Sequence, residues 1–523
     1  MVRIANAVRP RLARAATAAR PRVARLARAV RSTRAHLPGS RTVRTVRTWQ
    51  FTAGAATAGL ALAAGVVTVA GPWDANGQRT AERDRAVALE RSGGADHGAG
   101  TAAGAPRPAP SAPPVLTGLG AAGTTVTTKE APPGPDALAS VLGPLLGAPA
   151  LSGGHAAVVV DVATGKRLYG VDADRPSTPA STTKLATATA ALSALGPDHR
   201  FTTRAALEPD TGELVLVGGG DPTLTAHRDA QGWASLRTLA ADTAKALRER
   251  GIHQVTLSYD TTLFTGPALH PIGVNVNLAP VTALAADEGR TDDSTHGPVT
   301  RVADPAADAT RAFAAFLNDA GVRTSSPGPS KATTRAETLA TVSSPPLSAL
   351  VERMLTNSDN DIAETLARQT ALATSEPGSF DGGARAIAAQ LRKLGLPLAG
   401  ASFHDGSGLN RDDKVTADLL TAVLVKAADP AHPELRPILT GLPIAGFTGT
   451  MAGRETEGAA GLVRAKTGTL TGVNTLAGTV VDADGRLLAF AFLASHTTNA
   501  DAAQSALDTT VTALSACGCK ALR

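Results

Sequence analysis

The chain has 523 residues, which is more than one small domain needs and enough to bury a large core without a metal ion or disulfide to stabilise it. With two cysteines and eleven histidines, none of them in a His-x-x-x-His pair, the composition excludes a disulfide-rich scaffold and gives no support to a metal site. The net charge of +6 comes from one end, because residues 1–48 hold thirteen arginines and no acidic residue. The rest of the chain is therefore net acidic, and no nucleic-acid partner is predicted for it.

The basic end precedes an apolar segment. Residues 49–73 are predicted to be a transmembrane anchor, because the run from Phe51 to Ala70 carries no charge and is long enough to cross a bilayer. The arginines before it predict a cytoplasmic tail at residues 1–48, although a transit peptide or a nucleic-acid arm would also fit that tail alone. A cleaved signal peptide remains an alternative to the anchor, since Thr68-Val69-Ala70 has the small residues that a signal peptidase accepts.

A linker and a folded domain are predicted to follow. Residues 74–135 are rich in Ala, Gly and Pro and too poor in large apolar side chains to fold, which predicts a flexible tether. The folded domain is predicted at residues 136–516, with a short tail at 517–523. The tail region holds Cys517 and Cys519, for which a strained disulfide, free thiols and a link to another chain all remain open.

The first predicted elements of the domain are a β-hairpin and a buried helix. Apolar, β-branched runs at Ala156–Val162 and Arg167–Val171 flank a glycine-containing turn. An alanine-rich helix is predicted to begin near Ser181 and to end at Leu195. Because Lys184 follows Ser181 by three positions, both side chains would lie on one face of that helix.

This pair has the residue types of a serine nucleophile and its base. A serine hydroxyl reacts only when a neighbouring base takes its proton, and a buried lysine near the positive end of a helix can lose its charge and act as that base. An isolated Ser-x-x-Lys is more often a helix start followed by a surface lysine. Here, however, the chain has ten lysines against 41 arginines, and Ser181 to Lys184 is its only Ser-x-x-Lys.

A second polar pattern lies between two predicted helices, Leu347–Leu355 and Ile362–Ala371. Ser358 and Asn360 form the only Ser-x-Asn in the chain and are predicted to lie in the loop that joins these helices. A structural alternative is a capping box, in which Asp361 and Glu364 would simply begin the second helix.

The third pattern is Lys466, Thr467, Gly468 and Thr469, in a predicted strand that starts near Gly461. An edge strand with a glycine bulge is the structural alternative for this pattern. A hairpin at Thr475–Val481 and Leu487–Ala494 and a final helix at Asn499–Ala516 are predicted to follow, so that this strand would belong to a sheet.

Ser-x-x-Lys, Ser-x-Asn and Lys-Thr-Gly, in this order, are the motif set of penicillin-binding proteins and β-lactamases. Two further segments, Val217–Leu224 and Asp405–Asn410, make the chain resemble the D-alanyl-D-alanine carboxypeptidase/endopeptidase family, the class C low-molecular-mass penicillin-binding proteins. The resemblance covers roughly residues 136–516. It implies an α+β, penicillin-binding/β-lactamase-like transpeptidase fold, in which an antiparallel sheet is flanked by helices and faces a helical subdomain.

The family also inserts extra domains between the first two motifs, and here Ser358 follows Ser181 by 177 positions. Strands near Leu214 and Val255 and a helix at Leu236–Glu249 predict one smaller α/β module within about residues 201–342. That length is short for the family, so the second inserted domain is predicted to be reduced to a loop at Glu288–Asp293.

The resemblance implies a serine-type D-Ala-D-Ala carboxypeptidase/endopeptidase that cuts peptidoglycan stem peptides or crosslinks outside the cell membrane without a cofactor. β-Lactam antibiotics would then be covalent inhibitors. The implied catalytic residues are Ser181, Lys184, Ser358 and Asn360, and the implied substrate-binding residues are Lys466, Thr467, Gly468 and Thr469. Two alternatives keep the same site: a β-lactamase with the same nucleophile, and a catalytically inactive cell-wall binding protein.

Overall fold

The computed structural model describes residues 135–325, 328–454 and 458–518, and these residues form an α+β fold. The predicted tail, membrane segment and nearly all of the predicted linker lie outside the described residues. Among the residues that are described, no helix is long and apolar enough to cross a membrane.

The described helices and strands follow the chain in a mixed order. The helices are α1 (Pro135–Leu146), α2 (Thr183–Leu195), α3 (Leu236–Glu249), α4 (Pro305–Asp319), α5 (Leu347–Asn357), α6 (Asn360–Ala373), α7 (Phe380–Lys393), α8 (Ala417–Ala428), α9 (Arg436–Thr440) and α10 (Ala500–Ala516). The strands are β1 (His155–Asp161), β2 (Arg167–Val171), β3 (Thr202–Leu207), β4 (Glu213–Val217), β5 (Gln254–Asp260), β6 (Arg323–Thr324), β7 (Gly328–Pro329), β8 (Glu337–Ser343), β9 (Val463–Leu470), β10 (Val473–Val481) and β11 (Leu487–Ser495).

The main sheet is antiparallel and has five strands in the order β2-β1-β11-β10-β9. Its inner strands are buried on both faces; eight of the nine residues of β10 are buried. An antiparallel sheet often leaves one face in water, but here helices cover both. Helices α2, α5, α6, α7 and α8 share a core with one face, called the front face, and α1 and α10 share a core with the other, the back face.

Helix α2 lies in the middle of the front core. Its residues from Thr183 to Leu192 are all buried, and they are mostly alanine and threonine. A helix buried all round has no polar stripe, and small side chains let neighbouring helices approach it closely. A single 3-10 turn at Ala180–Thr182 precedes α2, so the residues near Ser181 begin the helix in this tighter form.

The inserted part folds around a second sheet, with β6-β5-β4-β3-β8 in order and β7 paired to β5. Strand β3 is antiparallel to β4 and β8, whereas β4 and β5 are parallel, and α3 and α4 pack on this sheet through a separate core. Residues 261–304, all of them described, contain no helix or strand apart from a 3-10 turn at Asp287–Gly289. This segment, called the insert loop, reaches the front of the main domain.

The last helix begins as its sequence suggests. Asn499 caps α10, its side chain accepting a hydrogen bond from the Ala502 N–H at 3.0 Å. Cys517, just after the helix, is buried in the back core, and Cys519 lies outside the described residues.

Candidate active site

A cleft of about 720 Å³ opens where the first turn of α2, the end of α5, strand β9 and the insert loop meet. Ser181, Ser358, Asn360, Thr467 and Thr469 line it. Sequence reasoning placed these five side chains on three separate motifs, and the fold brings them into one cavity.

Lys184 lies beside Ser181 and is fully buried. Its Nζ is 3.0 Å from Ser181 Oγ, 2.7 Å from Asn360 Oδ1 and 2.8 Å from the Ser407 carbonyl oxygen. The two carbonyl oxygens can only accept hydrogen bonds, whereas the serine hydroxyl can also donate one. A neutral amine that donates to both carbonyls must therefore point its lone pair at Ser181 Oγ.

Burial lowers the pKa of Lys184 to about 8, against the opposing effect of nearby carboxylates, chiefly those of Asp405 and Glu364. A pKa near 8 leaves a useful fraction of neutral amine near neutral pH, which is the range a general base requires. The arrangement can thus remove a proton from Ser181.

The Ser-x-Asn motif is held by a tight connection between α5 and α6. Ser358 adopts a left-handed conformation, with φ 58° and ψ 40°, which is unusual for a residue with a side chain. Asp359 then caps α6, accepting a hydrogen bond from the Ile362 N–H at 3.0 Å. Asn360 is therefore the first residue of a helix and not, as predicted, part of a longer loop, because two residues suffice to make the turn.

This cap also replaces the capping box that was the structural alternative for Asp361 and Glu364. The cap is Asp359, and Glu364 bonds to another part of the chain. Asn360 is fixed at both ends of its amide: Oδ1 faces Lys184, and Nδ2 donates to the carbonyl of Asn277 in the insert loop at 2.9 Å.

Lys466 contributes a second fully buried amine from β9. Its Nζ donates to Ser358 Oγ at 2.8 Å and to its neighbour's carbonyl, that of Thr467, at 2.7 Å. Burial, with the positive charges of Lys184 and Arg454, lowers the pKa of Lys466 well below its usual value. A carboxylate bound beside Lys466 would favour its charged form.

The residues around Lys466 divide between two sides of β9, since successive side chains of a strand point to opposite faces. Thr467 and Thr469 line the cleft, and Thr467 Oγ1 bonds to Thr450 Oγ1 at 2.9 Å. Gly468 faces the other way: a Cβ there would collide with Thr475 Oγ1 and come within 2.8 Å of the Pro179 carbonyl. The glycine therefore allows β9 to approach the residues before Ser181, and its role in substrate binding stays a prediction.

Comparison with known proteins identifies the family of this chain. The profile of the D-Ala-D-Ala carboxypeptidase 3 (S13) family matches residues 138–298 and 291–515. The chain belongs to the S13 family. Its predicted enzyme class, a serine-type D-alanyl-D-alanine carboxypeptidase among the hydrolases, is thereby confirmed.

Curated relatives of this S13 protein support the same assignment. A carboxypeptidase of Mycobacterium tuberculosis is 37% identical over 441 residues, which cover 81% of this chain and 92% of that one. The carboxypeptidase DacB of Mycolicibacterium smegmatis is 37% identical over 379 residues, covering 69% and 80% of the two chains. A D-alanyl-D-alanine carboxypeptidase of an Actinomadura strain is 32% identical over 418 residues, covering 65% and 77%.

The fold is shared with a solved structure, the penicillin binding protein 4 of Haemophilus influenzae. The two have a TM-score of 0.58 and 22% sequence identity, over 73% of this chain and 97% of that one. The same protein has also been solved in complex with a β-lactam, with a TM-score of 0.56 and 23% identity to this S13 chain. The predicted penicillin-binding, α+β fold class is confirmed.

Sequence reasoning did not assign roles to three groups of the S13 site: Asn277, the Ser407 carbonyl and Glu364. A signal existed for Glu364, which follows Asn360 by four positions and so lies on the same face of α6. Nothing in the sequence pairs Asn277 with Asn360, because their contact depends on how the insert loop crosses the cleft.

Two groups of buried side chains in the described part of the S13 domain have the donor types of a metal site. One comprises His270, Glu364 and Asp405, and the other comprises Glu288, Asp359 and Asp361. Backbone N–H groups already occupy the carboxylates of the first group. Arginines offset the charge of the second, for Arg290 Nε lies 2.9 Å from Glu288 Oε2 and Arg301 Nη2 lies 3.0 Å from Asp361 Oδ2. Both groups therefore have the contacts of structural networks.

Proposed function

We propose that the protein is a serine-type D-Ala-D-Ala carboxypeptidase/endopeptidase that cleaves peptidoglycan stem peptides or crosslinks through an acyl-enzyme on Ser181. One observation carries the proposal: the Nζ of a buried lysine, Lys184, lies 3.0 Å from Ser181 Oγ and is oriented by two carbonyl oxygens. Membership of the S13 family supports the reaction class.

In the proposed acylation step, Ser181 Oγ attacks the carbonyl carbon of the penultimate D-alanine while Lys184 accepts the hydroxyl proton. Backbone N–H groups of Ser181 and Thr469 would stabilise the negative charge that develops on the carbonyl oxygen. The carbon–nitrogen bond then breaks, and Ser358 relays a proton from the lysine to the departing amine. Lys466 Nζ, 2.8 Å from Ser358 Oγ, would hold that hydroxyl in place for the relay from Lys184.

Substrate recognition is assigned to the opposite wall of the cleft. Lys466, Thr467 and Thr469 would bind the terminal carboxylate, because an ammonium group and two hydroxyls on one strand provide positive charge and hydrogen bonds together. Asn360 Nδ2 gives one of its two N–H groups to Asn277 and keeps the other for the substrate amide. Water then releases the acyl group from Ser181.

Penicillin would acylate the same serine, since its strained amide presents a carbonyl beside a carboxylate. The opened ring stays attached to the acyl group and obstructs the water that would release it. A β-lactamase would need a dedicated base to activate that water. Without such a base, release of the acyl group from Ser181 should be slow.

The proposed location is the outer face of the bacterial cell membrane, with residues 49–73 as the anchor or, if they are cleaved, with a secreted domain. The uncharged run from Phe51 to Ala70 and the arginines before it support this topology. A substrate in the cell wall requires the cleft to lie outside the membrane.

Labelling by a fluorescent penicillin tests the nucleophile. The wild-type protein should be labelled, Ser181→Ala should not, and mass spectrometry should place the adduct on the peptide that contains Ser181. Equal labelling of Ser181→Ala, or no labelling of the wild type, would contradict the mechanism. A chromogenic cephalosporin distinguishes the β-lactamase, because rapid turnover would identify that activity.

The labelled protein should also release D-alanine from a stem pentapeptide and cut a D-alanyl crosslink between two stem peptides. Chromatography of the digested muropeptides measures both reactions. Labelling without either product would indicate a cell-wall binding protein that has lost turnover.

A further inference from the structure

The orientation of Lys184 depends on a backbone carbonyl that none of the three motifs supplies. The Ser407 carbonyl accepts from Lys184 Nζ at 2.8 Å, opposite the contact with Ser181 Oγ. A carbonyl has this effect only if its peptide unit is held in place. The backbone around Ser407 must therefore be held by other groups.

Glu364 fixes it. The side chain of this glutamate is buried, with 1% of its surface exposed, and it points from α6 toward the turn at residues 405–410. Its Oε1 accepts from the Ser407 N–H at 2.8 Å, and its two oxygens share the Gly406 N–H at 3.2 and 3.1 Å. Two successive peptide units are thus bound by one carboxylate.

Asp405 secures the other end of the same turn. Its carboxylate accepts the N–H groups of Gly408 and Asn410, both at 2.6 Å, and faces His270 Nε2 at 3.0 Å. Gly408, with φ +82°, lies directly against Ala180, since a Cβ at this position would collide with the Ala180 carbonyl. The turn is therefore packed directly behind the residue that precedes Ser181.

We propose that Glu364 is a positioning residue for the base: by binding the two peptide units that lead to Ser407, it keeps the Ser407 carbonyl against Lys184 Nζ and so directs the lone pair of the amine at Ser181. The proposal rests on the proposed function, in which Lys184 is the base. The same helix provides both acceptors of the lysine's N–H groups, Asn360 directly and Ser407 through Glu364. One turn of α6 thereby sets the geometry of the nucleophile's activation.

Glu364 also acts on Lys184 through charge. The charged and titratable groups that face this region are Glu364 and Arg368 on α6, Asp405 and Asp413 beside the turn, His270 on the insert loop, Asp359 and Asp361 at the start of α6, and Lys466 on β9. Burial raises the pKa of Glu364 to about 7, with Asp405 adding to the shift, and its ionised form raises the pKa of Lys184. Geometry and charge therefore predict separable effects.

Two substitutions separate them. Glu364→Gln removes the charge and puts an amide nitrogen against backbone N–H groups, whereas Glu364→Asp keeps the charge but shortens the reach to Ser407. The experiment measures the rate of Ser181 acylation by fluorescent penicillin in the full-length protein as a function of pH. Thermal melting establishes that each variant is folded.

Acylation should rise with pH as Lys184 loses its proton, and reach a plateau above its pKa of about 8. In both variants we expect the plateau to fall about 10- to 100-fold, since a small displacement of a catalytic group has an effect of that size. In Glu364→Gln the rising limb should also move to lower pH, because a negative charge that raises the pKa of Lys184 is gone. In Glu364→Asp the rate should rise over the same pH range as in the wild type.

Thr370→Val is the matched control. Thr370 is equally buried on α6, but its hydroxyl bonds only to the Leu366 carbonyl of its own helix at 2.7 Å. This variant should keep the wild-type plateau and limb. A merely structural role for Glu364 would predict lower melting temperatures with an unchanged plateau for the folded fraction.

Folded Glu364 variants whose plateau stays within twofold of wild type would overturn the proposal, whatever happens to the limb. If Glu364→Gln does not fold, Glu364→Asp decides by the same criterion. A failure of the proposed function is distinguishable from this result, because in that case the wild type itself would not be labelled on Ser181.

Discussion

At the scale of single residues, the candidate site depends on buried side chains that lie within hydrogen-bonding distance of one another. Both lysines of the cleft are completely buried, although lysine is rarely buried without a partner. Each is hydrogen-bonded to a serine of the cleft, Lys184 to Ser181 and Lys466 to Ser358, and burial lowers the pKa of each lysine. The chemical properties of this site therefore depend on the burial of the two lysine amines.

Gly468 lies at one of the closely packed positions of this site. Gly468→Ala should lower the free energy of unfolding by about 1–3 kcal/mol, the usual cost of overpacking a close-packed site. The added methyl group would collide with Thr475 Oγ1 and crowd the Pro179 carbonyl. Because Pro179 lies two residues before Ser181, acylation by penicillin should slow as well. Chemical denaturation and the labelling rate measure the two effects.

A matched glycine serves as the control for this prediction. Gly143 is exposed in α1, and a Cβ there would contact nothing within 4 Å. Gly143→Ala should leave labelling unchanged and change stability little, since the helix preference of alanine is opposed by the crowding of a Cβ before Pro144. Equal stability of Gly468→Ala and the wild type would show that β9 can shift without cost.

At the scale of elements, the insert loop holds the Ser-x-Asn turn. The Asn277 carbonyl accepts from Asn360 Nδ2 at 2.9 Å, and the Ala279 N–H donates to Asp361 Oδ1 at 2.9 Å. Arg301 Nη2 lies 3.0 Å from Asp361 Oδ2, and Arg301 Nη1 donates to the Glu288 carbonyl at 2.6 Å. The inserted part of the chain thus contributes to the candidate active site as well as to its own module.

Arg301→Met tests this connection. Removing one partner of a buried ion pair leaves the other without compensation, so unfolding should become easier by about 3 kcal/mol. Labelling of Ser181 should also slow, because Asp361 adjoins Asn360. Urea denaturation and the acylation rate are the measurements.

Arg311→Met is the comparison for Arg301→Met. Arg311 is 62% exposed on α4 and pairs with Asp308 at 2.6 Å, and surface pairs of this kind contribute little. Neither stability nor labelling should change. Similar behaviour of the two variants would mean that the insert loop does not support the Ser-x-Asn turn.

At the scale of the whole molecule, the main sheet lies between the candidate active site on its front face and the core on its back face. The back face is closed by α1 and α10, which come from opposite ends of the described domain and pack together with the sheet. The front face carries the helix that begins beside Ser181. Changes on the two faces should therefore have different consequences.

Leu507→Ala, in the back core, should lower the free energy of unfolding by about 2–5 kcal/mol, because it removes a buried side chain and leaves a cavity. The folded variant should still acylate at the wild-type rate. Leu487→Ala, at the partly exposed start of β11, should cost less stability. A large loss of acylation in folded Leu507→Ala would show that the two faces are coupled.

Much of the fold could be predicted because it depends on local patterns. Helix α3 has the predicted bounds, Leu236–Glu249, and strand β2 runs from Arg167 to Val171 as predicted. The rare pairs Ser181 with Lys184 and Ser358 with Asn360 stand out by residue type and spacing alone. Periodicity and motif spacing are written in neighbouring positions, so one sequence suffices to find them.

Other features depended on contacts between distant parts of the chain. The short turn at Ser358 needs a left-handed residue, which serine rarely provides, so its geometry had no sequence signal. The direction of Gly468 depends on the register of β9 against β10, and the roles of Glu364 and Asn277 depend on which carbonyls and N–H groups lie opposite them. The sequence by itself determined the motifs and the fold class, and it predicted Ser181 as the nucleophile. Only the tertiary structure decided how the lysines are oriented, because hydrogen bonds across the cleft join residues whose separation along the chain gives no hint of their contact.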